Sequence, residues 1–415
     1  MKQKRVVVTG MGVISPVGLD VASMWANLTA GKSGIGPITL FDTEGFNVRI
    51  AGEAHGFNPQ DYMPAKEARR TDRFSQFAIA ALEQVLAQSQ LIVNNDNAEE
   101  IGVIVGSGVG GIHTYSQEFH TITAKGYRRV SPFLIPSITV DSPGVQVAMR
   151  TGARGPSFAT ASACATGADA IGTAYETIVR GHAKAMFAGS FEASVTPIGV
   201  AAFDRMRALS HNNDDPTGAS RPFDADRDGV VMSEGGALIL LEDLDFALAR
   251  GAEPLAEILG YAGTSDALHL TSPDPEGVSA ARCMTLALKR AHVSPEQIGY
   301  INAHGTATPL GDTAETRAIK RAFGEIAYRI PVSSTKSMTG HLMGGTASVE
   351  VAICVQALRT GILPPTINLD TPDPDCDLDY IPHTARRSDV SVVMTNAFGF
   401  GGHNATLVLG NPNIR

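Results

Sequence analysis

"FATASACATGADAIGTA", residues Phe158–Ala174, reads as a strand that breaks into a turn of small residues and resumes as a helix. A second stretch, "IPVSSTKSMTGHLMGGTASVEVA" (Ile330–Ala352), repeats that order of strand, small-residue turn and helix. Further echoes hold the same order along both parts of the chain. "IGVIVGSG" (Ile101–Gly108) matches "IGYINAHG" (Ile298–Gly305), and "AMFAGSFE" (Ala185–Glu192) matches "SVVMTNAFG" (Ser391–Gly399). "VVVTGMGVIS" (Val6–Ser15) matches "AEILGYAGTS" (Ala256–Ser265). The repetition predicts two similar α/β halves, residues 1–252 and 253–415, and two units are too few for a solenoid. Helical runs such as Ser75–Gln88 and Ala280–His292 alternate with the strands. His211–Gly229 and Asn368–Pro382, rich in Asp, Asn and Pro, read as long surface loops.

The chain has 415 residues, 43 % hydrophobic and 18 % charged, enough apolar material for one large core or two fused ones. The basic start is followed by only Val6-Val7-Val8 before Gly10, too short for a signal peptide and readable as a first strand. No window approaches the roughly 18 consecutive apolar residues of a membrane span. The four cysteines, at 164, 283, 354 and 376, form neither a disulfide framework nor a zinc motif, so a cytoplasmic location is expected. The net charge of −9 argues against general nucleic-acid binding.

Three motifs invite a cofactor and fall short of one. "GSGVGG" (Gly106–Gly111) fits the dinucleotide pattern but lacks an acidic residue ending a second strand, and tight turns explain it better. "DADRDGVVMSEG" (Asp224–Gly235) resembles a calcium loop, yet Gly235 stands where the bidentate glutamate belongs. His304 and His341 have no further ligand at metal spacing, and Lys336 is a poor neighbour for a cation, so no metal is expected.

Four small-residue turns end predicted strands: those at Ser162–Cys164, Asn302–Thr306, Ser334–His341 and Asn396–Gly402. In layered α/β proteins such turns converge at one edge of the sheet. Cys164 would open a helix, whose N-terminus should favour thiolate and lower the thiol pKa. Taken alone, this turn leaves a nucleophile and an inert packing cysteine both open. Two histidines on matched turns of the other half shift the balance toward the nucleophile.

The turns "SACATG", "NAHGTATPLGD", "TKSMTGHLMGG" and "NAFGFGGHN" resemble those of the β-ketoacyl-[acyl-carrier-protein] synthases, thiolase-fold condensing enzymes, closest to the elongating synthase II type. The likeness runs along nearly the whole chain and implies an αβαβα layered architecture. It implies a decarboxylative condensation of malonyl carrier with an acyl group held as a thioester on Cys164. His304 and His341 resemble the pair that acts on the malonyl group, and Lys336 the supporting lysine, with Glu350 at the matching acidic position. Phe400 resembles a gating residue whose N–H joins that of Cys164 in an oxyanion hole. Gly399, Gly401 and Gly402 would let that loop move, although a fixed tight turn is an open alternative. Thr306 and Thr308 match contacts to the pantetheine arm, and Val109 a position at the acyl pocket, where valine for isoleucine would admit longer chains.

The resemblance implies an acyl carrier protein as partner, a homodimer, and no cofactor beyond the phosphopantetheine the carrier brings. Lys66, Arg69, Arg70, Arg128, Arg129 and Arg207 match a basic dock, with ordinary solvated charge as the other reading. His403, "GGTASVE" and "SEGG" (Ser233–Gly236) depart from the family's usual residues and bear on fine specificity. A thiolase would place a second cysteine where Lys336 and His341 stand, and a non-catalytic chain-length partner would lack Cys164. A discrete polyketide ketosynthase stays open, and the absence of a further domain before Arg415 favours a stand-alone synthase.

Overall fold

The computed structural model describes residues 4–413. The first strand, β1 (Val6–Ile14), has no exposed residue, as its nearly continuous apolar run requires of a strand covered on both faces. The other first-half strands of the central sheet are β2 (Ile101–Gly106), β3 (Ser157–Phe158), β4 (Ala185–Glu192) and β5 (Gly235–Asp243). Those of the second half are β6 (Ala256–Ser265), β7 (Tyr300–Asn302), β8 (Val332–Ser333), β9 (Val392–Gly399) and β10 (His403–Gly410).

All ten join one sheet, in the order β8-β7-β9-β10-β6-β1-β5-β4-β2-β3. Read outward from the β1–β6 junction, each half repeats the other strand for strand. The pairings repeat as well: β1–β5 and β5–β4 are antiparallel, as are β6–β10 and β10–β9. The outer pairs β4–β2, β2–β3, β9–β7 and β7–β8 are parallel. Each member of the four echoed stretches lands on its counterpart strand.

Six helices complete the layers: α1 (Arg73–Ser89), α2 (Ser142–Thr151), α3 (Thr166–Val179), α4 (Val278–Ala291), α5 (Pro309–Phe323) and α6 (Thr346–Thr360). α3 and α6 pack on each other and on strands of both halves, forming the middle layer. α6 is buried along nearly its whole length, which suits a helix apolar on every side. α1 with α2, and α4 with α5, cover the two outer faces, completing the αβαβα architecture. Among the described residues no helix is long and apolar enough to cross a membrane.

The two Asp-rich segments are not the free surface loops their composition suggests. Phe223 is fully buried and stacks on Tyr380, ring centroids 3.8 Å apart. Asp224, also fully buried, accepts N–H bonds from Asp226, Asp370 and Thr371 and pairs with Arg221. Arg227 reaches Asp373 at 2.6 Å, so an arginine supplies the positive charge within the calcium-like loop. Each segment contributes the partners that the other's polar residues need, and burial becomes affordable.

Candidate active site

Cys164 lies in a short turn, Ala163–Ala165, that leads straight into α3. Ala163, just before it, holds φ +51°, a left-handed conformation that turns the chain sharply. Thr166 braces the turn by accepting the Ser162 N–H at 3.0 Å and donating to the Ala163 carbonyl at 2.7 Å. The second half builds the same elbow: Met343 holds φ +47° in the turn Met343–Gly345, and Thr346 opens α6. The structural counterpart of Cys164 is therefore Gly344. Lys336 and His341 stand in a longer approach to that elbow, not at the equivalent turn itself as the bare echo suggests.

The side chains meet in a cavity of about 480 Å³ lined by Cys164, His304, His341, Phe398 and Phe400, with Val109 also in the lining. His341 Nε2 is 3.1 Å from Cys164 Sγ, and its Nδ1 is 2.8 Å from the Thr346 hydroxyl. His304 stands edge-on to His341, ring centroids 5.4 Å apart. Cys164, His304 and His341 each bring one donor atom to within 4.8 Å of the others. That is a metal-like cluster, but the Lys336 ammonium acts on all three and opposes a cation there. Lys336 is itself buried and paired with Glu350.

Burial, reinforced by Lys336, holds both imidazoles well below the ordinary histidine value, so they are neutral at pH 7. The thiol departs from the sequence-based expectation. Burial pushes Cys164 up to about 11, outweighing Lys336 and the backbone N–H groups of Phe400 and Cys164, which all favour thiolate. A helix start cannot offset the desolvation of a sulfur only 9 % exposed. At rest Cys164 is a thiol hydrogen-bonded to a neutral imidazole.

Phe400 sits in the turn Phe400–Gly402, its ring stacked on Phe203. A Cβ on Gly399 would fall 2.8 Å from the Ser162 carbonyl, so only glycine lets this turn lie against the cysteine elbow. Gly401, at φ +83°, needs glycine for its backbone instead. Thr306, Thr308 and Arg207 line the cavity, and Thr308 also caps α5 through the Gly311 N–H. Lys66, Arg69, Arg70, Arg128 and Arg129 are exposed and stand outside the cavity lining.

Two buried carboxylates escaped the sequence reading. Glu315 of α5 accepts the N–H groups of His304 and Gly305, at 2.8 and 2.7 Å, and so fixes the histidine turn. Glu192, at the end of β4, accepts from Ser107, Gly108 and Gly344 and faces the cavity. Burial raises Glu192 to about 7. The "GSGVGG" glycines serve close backbone approach: a Cβ on Gly106 would lie 2.1 Å from the Thr160 carbonyl.

A cysteine elbow in one thiolase-like half, facing two histidines from the other, defines the class of condensing enzymes. The chain belongs to the β-ketoacyl synthase family, matching its N-terminal domain over residues 3–247 and its C-terminal domain over 255–370. It is 49 % identical over 407 residues to the 3-oxoacyl-[acyl-carrier-protein] synthase 2 of Synechocystis, covering 98 % of each chain. To the protein of that name in Staphylococcus aureus it is 47 % identical over 407 residues, again covering 98 % of each. Among solved structures it resembles a β-ketoacyl synthase from Burkholderia phymatum (TM-score 0.91, 36 % identity, 98 % and 99 % of the two chains). It also resembles a type II polyketide ketosynthase in complex with its acyl-carrier protein (TM-score 0.92, 32 % identity, 99 % and 100 %).

Proposed function

We propose that this protein is a 3-oxoacyl-[acyl-carrier-protein] synthase of the fatty-acid-elongating type. The observation that carries the reading is the thiol of Cys164, 3.1 Å from a neutral imidazole at the base of a largely apolar cavity. Thr346 can pair with Nδ1 of His341 in either tautomer, and the one that carries its proton on Nδ1 keeps a lone pair on Nε2 toward the sulfur. As the sulfur attacks an acyl thioester, His341 takes its proton and returns it to the departing pantetheine thiol. The N–H groups of Cys164 and Phe400 receive the oxyanion, each worth about 3–4 kcal/mol of transition-state stabilisation.

Malonyl carrier then enters the same cavity. Its carboxylate leaves as carbon dioxide, and the electron pair of that C–C bond forms an enolate. His304 and His341, uncharged and close together, donate N–H groups to the developing charge on the thioester oxygen, His341 in the tautomer that carries its proton on Nε2. The carbanion attacks the acyl carbonyl, a C–C bond forms, and Cys164 leaves as thiolate to be reprotonated. Glu315 holds the His304 turn, and Lys336 with Glu350 keeps the site electropositive. No step calls for a cofactor of the enzyme's own, since the pantetheine arm arrives on the carrier.

We further propose a homodimer formed through the β3 edge. Ser157 and Phe158 are exposed there, on the strand that ends the sheet, an edge that pairing with a second copy would cover. The polyketide alternative rests on structural neighbours of lower identity than the synthase 2 relatives, and Cys164 with both histidines opposes a non-catalytic partner role. The test supplies acyl and malonyl carriers to the purified protein. Acyl transfer onto Cys164 followed by release of 3-oxoacyl carrier supports the reading. Acyl transfer that persists in Cys164→Ala overturns it.

A further inference from the structure

Asp169 is a carboxylate on the first turns of α3 that the condensation chemistry leaves without a role. It is largely buried beneath the cysteine elbow and holds two hydroxyl groups. The Ser162 hydroxyl donates to one carboxylate oxygen, and Tyr261 of β6 donates to the other at 2.6 Å. Burial raises its pKa, while both hydroxyls and the imidazole of His403 act in the opposite direction and favour the carboxylate. Tyr261 is fixed in turn: a Cβ on Gly172 of α3 would fall 2.2 Å from its ring, so the glycine makes the ring's place. His403 lies against the loop that carries Phe400, where a Cβ on Gly401 would come within 3.1 Å of its Nε2.

One carboxylate therefore braces, through Ser162, the elbow that supplies an oxyanion donor. Ser162 precedes the left-handed Ala163 and the Cys164 N–H, and His403 follows the turn that presents the Phe400 N–H. A left-handed alanine persists only where its neighbours over-determine it. We propose that Asp169 is a positioning residue that holds the cysteine elbow through Ser162 and so sets where the Cys164 N–H points in the oxyanion hole. This rests on the ketosynthase reading above.

The discriminating measurement separates the two half-reactions. Oxyanion donors act when Cys164 is acylated, whereas malonyl decarboxylation relies on the histidines of the other half. In Asp169→Ala, single-turnover acylation of Cys164 by acyl carrier should slow at least tenfold. KM for the carrier and the rate of malonyl decarboxylation should stay within twofold. Asp169→Asn, which can still bond one hydroxyl through its carbonyl and the other through its amide, should recover acylation to within about threefold of wild type. Ser162→Ala removes only the elbow arm and should reproduce the acylation defect if Asp169→Ala fails to fold. Wild-type acylation in both Asp169→Ala and Ser162→Ala overturns the proposal, as does an equal fall in acylation and decarboxylation. Wild-type protein that fails to acylate at all overturns the ketosynthase reading instead.

Discussion

The two elbows are built alike and equipped in opposite ways. Both pass through a left-handed non-glycine residue, Ala163 or Met343, and both are followed by a threonine that opens a middle-layer helix. In the first half that threonine is spent on its own turn, bracing Ser162 and Ala163. In the second half Thr346 is spent on His341. The first elbow offers a sulfur, and the second offers Gly344, which lets Glu192 and Gly108 approach. The duplicated fold thus presents one reactive atom and, across from it, space and two histidines. Division of labour, and not duplication of the site, is what the repeat provides.

The largest effects should come from disabling each side alone. Cys164→Ala should lower acyl transfer and condensation about 10⁴-fold or more. His304→Ala should leave acylation of Cys164 within a few-fold, yet lower decarboxylation and condensation by about 10²–10⁴-fold. Single-turnover assays of each half-reaction read the split. Loss of acylation in His304→Ala would show that the two sides are not separable.

Lys336→Met comes next, because it leaves Glu350 buried without its partner. Removing one member of such a pair costs about 3–5 kcal/mol, readable as a lower urea midpoint. Lys336 also helps to hold both histidines down, so their pKa values should rise in the variant. Neutral imidazole would then be lost at a higher pH as the medium is acidified. The acid limb of the decarboxylation profile should move upward, and an unmoved limb would remove Lys336 from the electrostatics of the site.

The turns that meet at the cavity were legible because small residues, a cysteine and two histidines at strand ends are unusual together. The repeat was legible because the apolar strands keep their order. Glu192 and Glu315 were not, since a carboxylate ending a strand or riding a helix reads as a solvated face until the fold covers it. The thiol was misread for the same reason: a helix start is visible in sequence, whereas the burial that outweighs it is not. Gly344 was hidden because the likeness of Phe158–Ala174 to Ile330–Ala352 draws the eye to Lys336 and His341 as the matched turn, and only the backbone shows where the second elbow falls.

Glu192 bridges the two elbows, and its stability signature should be smaller and of defined sign. Burial raises it to about 7, above its unfolded value, so its favourable contribution belongs to low pH. That contribution is lost as pH rises through about 7. Glu192→Gln should therefore gain stability relative to wild type between pH 5 and 8, by about 2–3 kcal/mol. Urea titrations at both values measure it. A difference that does not change with pH would mean that the carboxyl does not titrate in the folded chain.

The smallest effects concern delivery, where the asymmetry of the halves returns. Every cation that matches a carrier dock, from Lys66 to Arg207, lies in the half that holds the nucleophile, and Arg207 alone of them lines the cavity. The second half brings the two histidines that we propose act on malonyl, and one cavity holds them together with Cys164, so acyl and malonyl groups would enter by the same way. One dock should therefore serve both carriers. Arg207→Glu, alone or with Arg128→Glu and Arg129→Glu, should raise KM for acyl and malonyl carriers alike. The rise should be a few-fold per charge and shrink with added salt, with kcat nearly constant. If KM rose for one carrier only, each half would have its own approach, and the division of labour would extend from the chemistry to the encounter itself.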